Sequence, residues 1–330
     1  MLRISFFVVL VSMSLLGACQ PEELVTIPQG FPSMPVPENN QLTRERVDLG
    51  KRLFFEPRLS RTTDIACASC HKQENAFADP RRLSEGVEGR LGQRNAPPLF
   101  NLAWNTSFFW DGGAPTLEHQ IVGPIMNPLE MDMSLADVVS RVGSDDTYVR
   151  QFEAAYGRKP DSEGVIKAIA SFLRTMVSGD SRYDRFVHGD PNALSEAERR
   201  GKELFFSERA ECFHCHTGFN FTNNGFHNNG ARFDDLDLGR EKITEVPSDR
   251  GKFKVPSLRN VAVTAPYMHD GSVTTLEGVV ARYSKGGDGH PNTDPTIHPL
   301  DRTAQEQADL VAFLRSLTDE AFIADSRYER

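Results

Sequence analysis

The stretch Cys67-Ala68-Ser69-Cys70-His71 has a counterpart in the second half of the chain, Cys212-Phe213-His214-Cys215-His216. Both follow the pattern Cys-x-x-Cys-His, and together they use four of the five cysteines in the chain. Two thiols at this spacing reach the two vinyl groups at one edge of a porphyrin, and the adjacent imidazole then binds the iron. The pattern predicts two covalent c-type haems, attached through Cys67, Cys70, Cys212 and Cys215, with His71 and His216 as proximal iron ligands.

Paired cysteines also occur in two other kinds of site. A thioredoxin-like redox couple lies within a βαβ pattern, and the sequence around neither motif has one. A structural zinc site draws its two Cys-x-x-Cys pairs from segments roughly 20 residues apart, whereas Cys67 and Cys212 are 145 positions apart. Haem therefore fits the spacing better than either alternative.

The segments that precede the two motifs are copies of each other. Leu49-Gly50-Lys51-Arg52-Leu53-Phe54-Phe55-Glu56-Pro57-Arg58 corresponds to Arg200-Gly201-Lys202-Glu203-Leu204-Phe205-Phe206-Ser207-Glu208-Arg209. They are identical at Gly-Lys, at Leu-Phe-Phe and at the final Arg, which indicates an internal duplication. Because 330 residues also suffice for about two domains, the repeat predicts two haem domains of common ancestry.

The regular structure is predicted to be mainly α. Apolar residues recur at steps of three and four, as in amphipathic helices, at Val165, Ile166, Ile169, Leu173 and Met176, and at Leu310, Phe313, Leu314 and Leu317. Ser134-x-x-Asp137 and Ser195-x-x-Glu198 have the spacing of capping boxes that open helices.

The fold class that follows is mainly α, with two cytochrome c-like haem domains at 42–180 and 181–330. The boundary is expected where Gly, Asp and Pro accumulate, at 179–190. Residues 79–98 and 217–256 have no sustained periodicity, and we expect them to wrap the haems.

The N-terminus has the features of an export signal. Residues 1–18 combine a charged start, an apolar run too short to span a membrane comfortably, and small residues at the end. Leu16-Gly17-Ala18-Cys19 resembles a bacterial lipobox, which predicts lipidation of Cys19; the alternative is a plain signal peptide and a spare thiol. We expect a periplasmic protein anchored to the outer membrane, with 19–41 as a flexible tether.

The net charge of the chain is −9. This charge argues against nucleic acid and anionic membrane surfaces as partners, so the lipid is the only membrane contact we expect. A basic redox protein would be electrostatically compatible.

Three further stretches accompany the haem motifs: Phe109-Trp110-Asp111-Gly112, Lys254-Val255-Pro256-Ser257-Leu258-Arg259-Asn260 and Ala265-Pro266-Tyr267-Met268-His269-Asp270-Gly271. In their order and spacing, over about residues 42–318, they resemble the bacterial di-haem cytochrome c peroxidases. That family of oxidoreductases includes true peroxidases and the MauG and MbnH branch, which uses peroxide to oxidise a protein partner. The resemblance implies two helical domains whose haems face a shared interface.

The resemblance also implies where peroxide reacts. In the family, hydrogen peroxide meets the N-terminal haem beside a Gln and a Glu, which here are Gln120 and Glu130. A carboxyl group in such a pocket can move a proton between the peroxide oxygens; the alternative is that Glu130 is a surface acid. No His stands between His71 and Asn95 to block the iron, so we expect it to be open to peroxide without prior reduction.

The second haem has two candidate ligands opposite His216. Family peroxidases carry a Met 14 residues after the His of the His-Asp-Gly motif, whereas the MauG and MbnH branch carries a Tyr, and here the position is Tyr283. A phenolate ligand lowers the iron potential and favours high oxidation states. Leu276, Val279 and Val280 share a helical face with Tyr283. The alternatives are Met268 as ligand, or Tyr283 as a core residue.

Further roles are implied by the resemblance. Trp110 corresponds to a tryptophan that relays electrons between the haems, with Trp104 as a second candidate and a core aromatic as the alternative. His269 would bond near a haem propionate. A calcium ion would lie between the domains, held by Asn95, Thr264 and Pro266. The remaining histidines are interpreted as ordinary: His119, His188, His227, His290 and His298.

Three functions are compatible with these features of the sequence. The preferred one is a periplasmic peroxidase of MauG and MbnH type that forms high-valent iron and oxidises a protein partner at an aromatic residue. MauG has a surface Trp two residues before its second haem cysteine, and Ala210 stands there in this chain, so the exit route would differ. The second is a peroxidase fed by a small cytochrome or cupredoxin, and the third is a di-haem electron carrier without catalysis.

Overall fold

The computed structural model describes residues 24–231 and 237–330, so the export signal and Cys19 lie outside the described residues. Helices dominate, in agreement with the prediction. Twelve are found in the described ranges: α1 Arg44–Phe54, α2 Cys67–Cys70, α3 Leu117–Met126, α4 Leu135–Gly143, α5 Asp146–Tyr156, α6 Ser162–Thr175, α7 Arg182–Val187, α8 Glu196–Phe205, α9 Glu241–Thr244, α10 Leu276–Ser284, α11 Ala304–Arg315 and α12 Glu320–Ile323. Two short strands, β1 Phe226–His227 and β2 Phe253–Lys254, pair antiparallel.

The duplication is visible as one helix crossing that occurs twice. In the first half α1 packs on α6, and in the second half α8 packs on α11. A Cβ on Gly50 would overlap the carbonyl oxygen of Ala168, and a Cβ on Gly201 would overlap that of Asp309. Only glycine lets the helix backbones approach this closely. The Gly of the repeated Gly-Lys pair is therefore a packing residue in both halves.

The helix ends agree with the predicted ones with small differences. Ser195 and Glu198 form a reciprocal capping box at the start of α8. At α4 the Ser134 hydroxyl accepts from the Asp137 N–H, but the Asp137 carboxylate accepts from that hydroxyl at 2.6 Å, so Ser134 is a simple N-cap. The periodic segments form α6 and α11, which end before Met176 and Leu317 respectively.

The N-terminal segment differs from the expected tether over its described part, 24–41. Asn40 is completely buried, and its amide donates to the Glu118 carboxylate and to the Lys167 carbonyl, both at 3.0 Å. The Phe31 ring lies 5.5 Å from Trp104 in the first half and 4.6 Å from Phe219 in the second. Isolated anchors of this kind leave no periodic signal, which is why the sequence indicated little order.

The C-terminal segment also departs from the predicted boundary. Phe322 in α12 and the buried Tyr328 belong to the hydrophobic core of the first half, not to that of the second. The Phe77 ring is 5.8 Å from Phe322 and 6.0 Å from Tyr328, and the Tyr328 hydroxyl donates to the Thr175 carbonyl at 2.6 Å. The chain therefore returns to the first domain after completing the second.

Among the described residues, no helix combines the length and the apolar character that a membrane crossing requires.

Candidate active site

The two Cys-x-x-Cys-His motifs form tight helical turns. Cys67–Cys70 is the single turn α2, and Cys212–His214 is a 3-10 turn. Residues three apart in such a turn lie on the same side. The two sulfurs of each Cys-x-x-Cys pair can therefore reach the same porphyrin edge. Burial raises the pKa of Cys67 to about 12, and of Cys212 and Cys215 to about 11. Apolar surroundings of this kind suit a porphyrin edge.

Both proximal histidines are oriented by a backbone carbonyl. His71 Nδ1 lies 2.6 Å from the Phe77 oxygen, and His216 Nδ1 lies 3.1 Å from the Phe221 oxygen. Since a carbonyl only accepts, Nδ1 carries the hydrogen and the Nε2 lone pair is left for iron. Burial lowers the pKa of His71, and that of His216 to about 4, so both rings are neutral at pH 7. The geometry thus fits the predicted iron ligands in both halves.

Glu130 lies beside the first motif and is half-buried. It lies close enough to the Cys67 and Cys70 sulfurs to affect their ionisation. Burial raises the pKa of the Glu130 carboxyl. The Asn127 amide donates to its Oε1 at 2.6 Å, which leaves Oε2 for a proton. This arrangement differs from that of a surface acid.

A loop of the first domain holds the Glu130 backbone. The Val87 N–H donates to the Glu130 carbonyl at 2.8 Å. A Cβ on Gly86 would lie 2.5 Å from that oxygen and would overlap the Leu129 carbonyl, so a side chain here would displace the turn. Gln120 is half-buried on α3, seven positions before Asn127, which corresponds to two helical turns. Neither Gly86 nor Asn127 was predicted from the sequence, where the spacing Asn127-x-x-Glu130 was the available signal.

Trp110 connects the two halves. Its indole Nε1 donates to the Asn95 carbonyl at 2.8 Å, and its own carbonyl accepts from the Lys254 N–H at 2.8 Å. The ring lines the cavity that also contains the second haem motif, and its centre is 6.5 Å from that of His269. Trp104 lies elsewhere, packed against Phe31 and the Phe219 ring.

The cavity of the second half contains both candidate ligands. Its lining includes Cys212, Cys215 and His216, and also the apolar face of α10 with Leu276, Val279, Val280 and Tyr283. The Asn229 amide Nδ2 lies 3.5 Å from the Tyr283 hydroxyl and 3.3 Å from Met268 Sδ. Burial raises the pKa of Tyr283, so its phenolate requires a cation such as iron beside it.

Two basic side chains line the same cavity and were not singled out from the sequence. Lys254, on β2, has its pKa lowered to about 8 by burial. Arg302 is 7% exposed and donates to the Ala210 carbonyl at 2.7 Å and to the Ser284 hydroxyl at 3.2 Å. Burying cations is costly without an anion, and haem carries two propionates. These residues therefore fit a bound haem.

An ionic network joins the halves next to Trp110. Arg94 donates to Asp111 at 2.7 Å and to both oxygens of Asp237 at 2.7 Å. Burial opposes ionisation of Asp237, but the bonds from Arg94 outweigh it and lower the pKa. His269 stacks on Phe253 with ring centres 3.6 Å apart, and burial lowers its pKa to about 4. His269 is therefore a neutral ring in the cavity wall.

The three residues implied for calcium, Asn95, Thr264 and Pro266, line the cavity that also contains His216 and Tyr283. Asn95 is 5% exposed, and its Nδ2 donates to the Arg81 and Arg82 carbonyls at 3.1 and 3.3 Å. The amide oxygen consequently points away from these carbonyls, and oxygen donors are what calcium prefers.

The chain is similar in sequence to known di-haem proteins. Residues 44–192 match the family described as di-haem cytochrome c peroxidase, and residues 198–318 match cytochrome c. The methylamine utilization protein MauG of Methylorubrum extorquens is 41% identical, covering 87% of this chain and 82% of its own. The cytochrome c551 peroxidase of Pseudomonas aeruginosa is 33% identical, covering 86% and 83%.

Two solved structures of di-haem proteins are similar to this chain over most of its length. A MauG-like protein associated with microbial copper homeostasis superposes with a TM-score of 0.88 at 39% identity, covering 92% of this chain and 97% of its own. The di-haem peroxidase BthA of Burkholderia thailandensis has a TM-score of 0.75 at 26% identity, covering 88% and 90%. The two-domain cytochrome c-like fold is therefore shared.

Proposed function

Because this chain belongs to the di-haem cytochrome c peroxidase family, we propose that it is a peroxidase of the MauG and MbnH type, which oxidises a partner protein. A family peroxidase uses hydrogen peroxide and a redox partner. One observation mainly supports the MauG and MbnH type: Tyr283, on the apolar face of α10, lines the cavity that contains His216.

Haem, when bound, supplies the iron that takes up peroxide and stores the oxidising equivalents. Glu130 supplies the proton. Because Asn127 occupies Oε1 and burial raises the pKa of the carboxyl, Oε2 is the oxygen that holds the proton in the acid form. The acid would donate this proton to the peroxide oxygen that leaves as water, and the resulting carboxylate would then accept the proton of the other peroxide oxygen, so that the group ends as it began. Gln120, on the preceding helix, is the polar neighbour that we assign to orienting peroxide.

Trp110 is the proposed relay between the halves. Its Nε1–H bonds to a neutral carbonyl, that of Asn95, so no base takes the indole proton when an electron leaves the ring. Neutral His269 lies beside it in the cavity wall, near the proposed propionate. Tyr283 would hold the second iron as phenolate, with Met268 as the remaining alternative.

The calcium ion and the cellular location complete the proposal. Calcium would be held by Asn95, Thr264 and Pro266, next to the carbonyl that binds Trp110. Removing the ion would then disturb the relay. Export to the periplasm with a lipid on Cys19 remains a proposal from the N-terminal sequence alone.

Peroxide-driven turnover distinguishes this function from the second candidate, a peroxidase fed by a small cytochrome or cupredoxin. We expect the purified di-haem protein to oxidise a reduced small cytochrome c only slowly when peroxide is added. The spectrum that the di-haem protein itself acquires with peroxide should persist after the peroxide has been consumed. The measurement is stopped-flow absorbance of both proteins. Fast, sustained oxidation of the cytochrome would favour the second candidate, and no reaction with peroxide would indicate the electron carrier.

A further inference from the structure

The surface beside the second haem motif carries side chains that the peroxide chemistry does not use. Glu208, Glu211 and His214 recur every third residue along one loop, and His298 approaches from another segment. His214 Nε2 lies 3.0 Å from Glu211 Oε2 and 3.2 Å from Glu208 Oε2. The other oxygen of Glu211 is 3.9 Å from His298 Nε2. His214 therefore lies between the two carboxylates, and His298 faces the other oxygen of Glu211.

Three of these four side chains are spaced as metal ligands are, and His298 is the neighbour closest to completing the set. The ligand atoms of Glu208, Glu211 and His214 all lie within 4.8 Å of one another. Zinc and copper bind imidazole nitrogen and carboxylate oxygen at about 2.0–2.2 Å, so neighbouring ligand atoms around them are separated by roughly 3 Å. The His298 Nδ1 lies 3.2 Å from the Pro299 carbonyl, which keeps the hydrogen on Nδ1 and the Nε2 lone pair toward Glu211.

The nearby arginine is engaged elsewhere. Arg209 lies between Glu208 and Glu211 in the chain and is the last residue of the repeat. It donates to both oxygens of Glu306 and to the carbonyls of Leu300 and Asp301. The carboxylates of Glu208 and Glu211 are paired with the two imidazoles. We propose that Glu208, Glu211, His214 and His298 bind one divalent transition-metal ion of the zinc and copper type. Two nitrogen ligands select such ions over calcium.

The proposed metal site adjoins the cysteines that attach the second haem, so a bound ion would change the potential of that haem. Glu211 directly precedes Cys212, and His214 stands between the two haem-attaching cysteines. A divalent charge here lies at the edge of the second haem, where it stabilises the reduced iron and raises the potential of that haem. The site is independent of the proposed peroxide chemistry, because none of its four residues lies at the first motif.

Metal binding to the complete di-haem protein tests this inference. Protein freed of transition metals, with calcium supplied in the buffer, is titrated with Zn²⁺ against a chromophoric chelator. We expect one equivalent to bind, and Glu208→Gln and His298→Gln each to weaken binding at least tenfold. The His188→Gln variant, which alters an exposed histidine away from the site, should bind as the wild type does.

A second measurement reports the location. Cu²⁺ bound at this site should give an EPR signal broadened by the ferric haem, and Zn²⁺ should raise the midpoint potential of the second haem. Both effects should be lost in the Glu208→Gln protein, whose altered side chain is 75% exposed and not part of the core. The inference is overturned if no Zn²⁺ binds, or if either variant retains wild-type affinity.

Discussion

At the scale of single residues, Glu130 is held in a state that suits proton transfer. Burial raises its pKa, the Asn127 amide fixes one oxygen, and Gly86 allows a loop to bind the backbone of the turn. A general acid works while it is protonated, so the reaction should slow as the pH rises through the raised pKa of Glu130.

Replacing Glu130 by Gln keeps the shape of the side chain and removes the proton. We expect peroxide consumption to fall by about 10²–10⁴-fold and the decline at higher pH to disappear, as measured by rates across a pH series. Glu88→Gln changes an exposed acid of the neighbouring loop and should have neither effect. A Glu130→Gln protein with the wild-type rate and pH profile would rule out this role.

The choice between Tyr283 and Met268 is also made by single side chains, since both contact Asn229. We expect Tyr283→Phe to remove the phenolate bands from the resonance Raman spectrum and to raise the potential of the second haem. Met268→Leu should leave the phenolate bands in place. If Met268→Leu abolishes the native ligand signal and Tyr283→Phe does not, sulfur is the ligand.

At the scale of elements, the repeated crossing of α1 on α6 and of α8 on α11 depends on Gly50 and Gly201. The backbones are so close that a methyl group must displace a helix. We expect Gly50→Ala to lower the free energy of unfolding by about 1–3 kcal/mol, the usual cost of overpacking, and Gly201→Ala to do the same. The measurement is denaturant unfolding of the haem-loaded protein.

Gly143, at the end of α4, provides the matched control. A Cβ there meets no atom within 4 Å. In a helix, alanine is favoured over glycine by about 0.5–1 kcal/mol, so Gly143→Ala should be neutral or stabilising. Equal effects at Gly50 and Gly143 would mean that close packing is not the reason why both copies of the repeat have Gly at this position.

At the scale of the whole molecule, the C-terminal tail joins the last residues to the first domain through Phe322 and Tyr328. Replacing a buried Phe by Ala costs about 3–5 kcal/mol. We therefore expect Phe322→Ala to lower the melting temperature of the first domain, followed through the absorbance of its haem. Glu329→Ala changes an exposed position of the same tail and should leave the melting temperature unchanged. If Phe322→Ala also melts as the wild type does, the tail contributes no stability.

The sequence predicted the parts of the molecule that depend on local pattern. Cys-x-x-Cys-His spacing, helical periodicity and the repeat suffice for the haem motifs, for α6 and α11, and for the two-domain fold. The packing of Phe31, Asn40 and Phe322 depends on contacts between distant segments, which leave no periodic trace. The same is true of the Arg94 network and of the half-buried Lys254, whose role depends on a cavity formed by both halves.

In the function proposed here, the first iron would accept peroxide directly and share the oxidising equivalents with the second through Trp110. The most direct test adds one equivalent of peroxide to the protein with both haems ferric and records visible and near-infrared spectra. We expect the bands of both haems to change without prior reduction, and this state to decay slowly when no partner is present. A spectrum that stays unchanged until one haem has been reduced would contradict it.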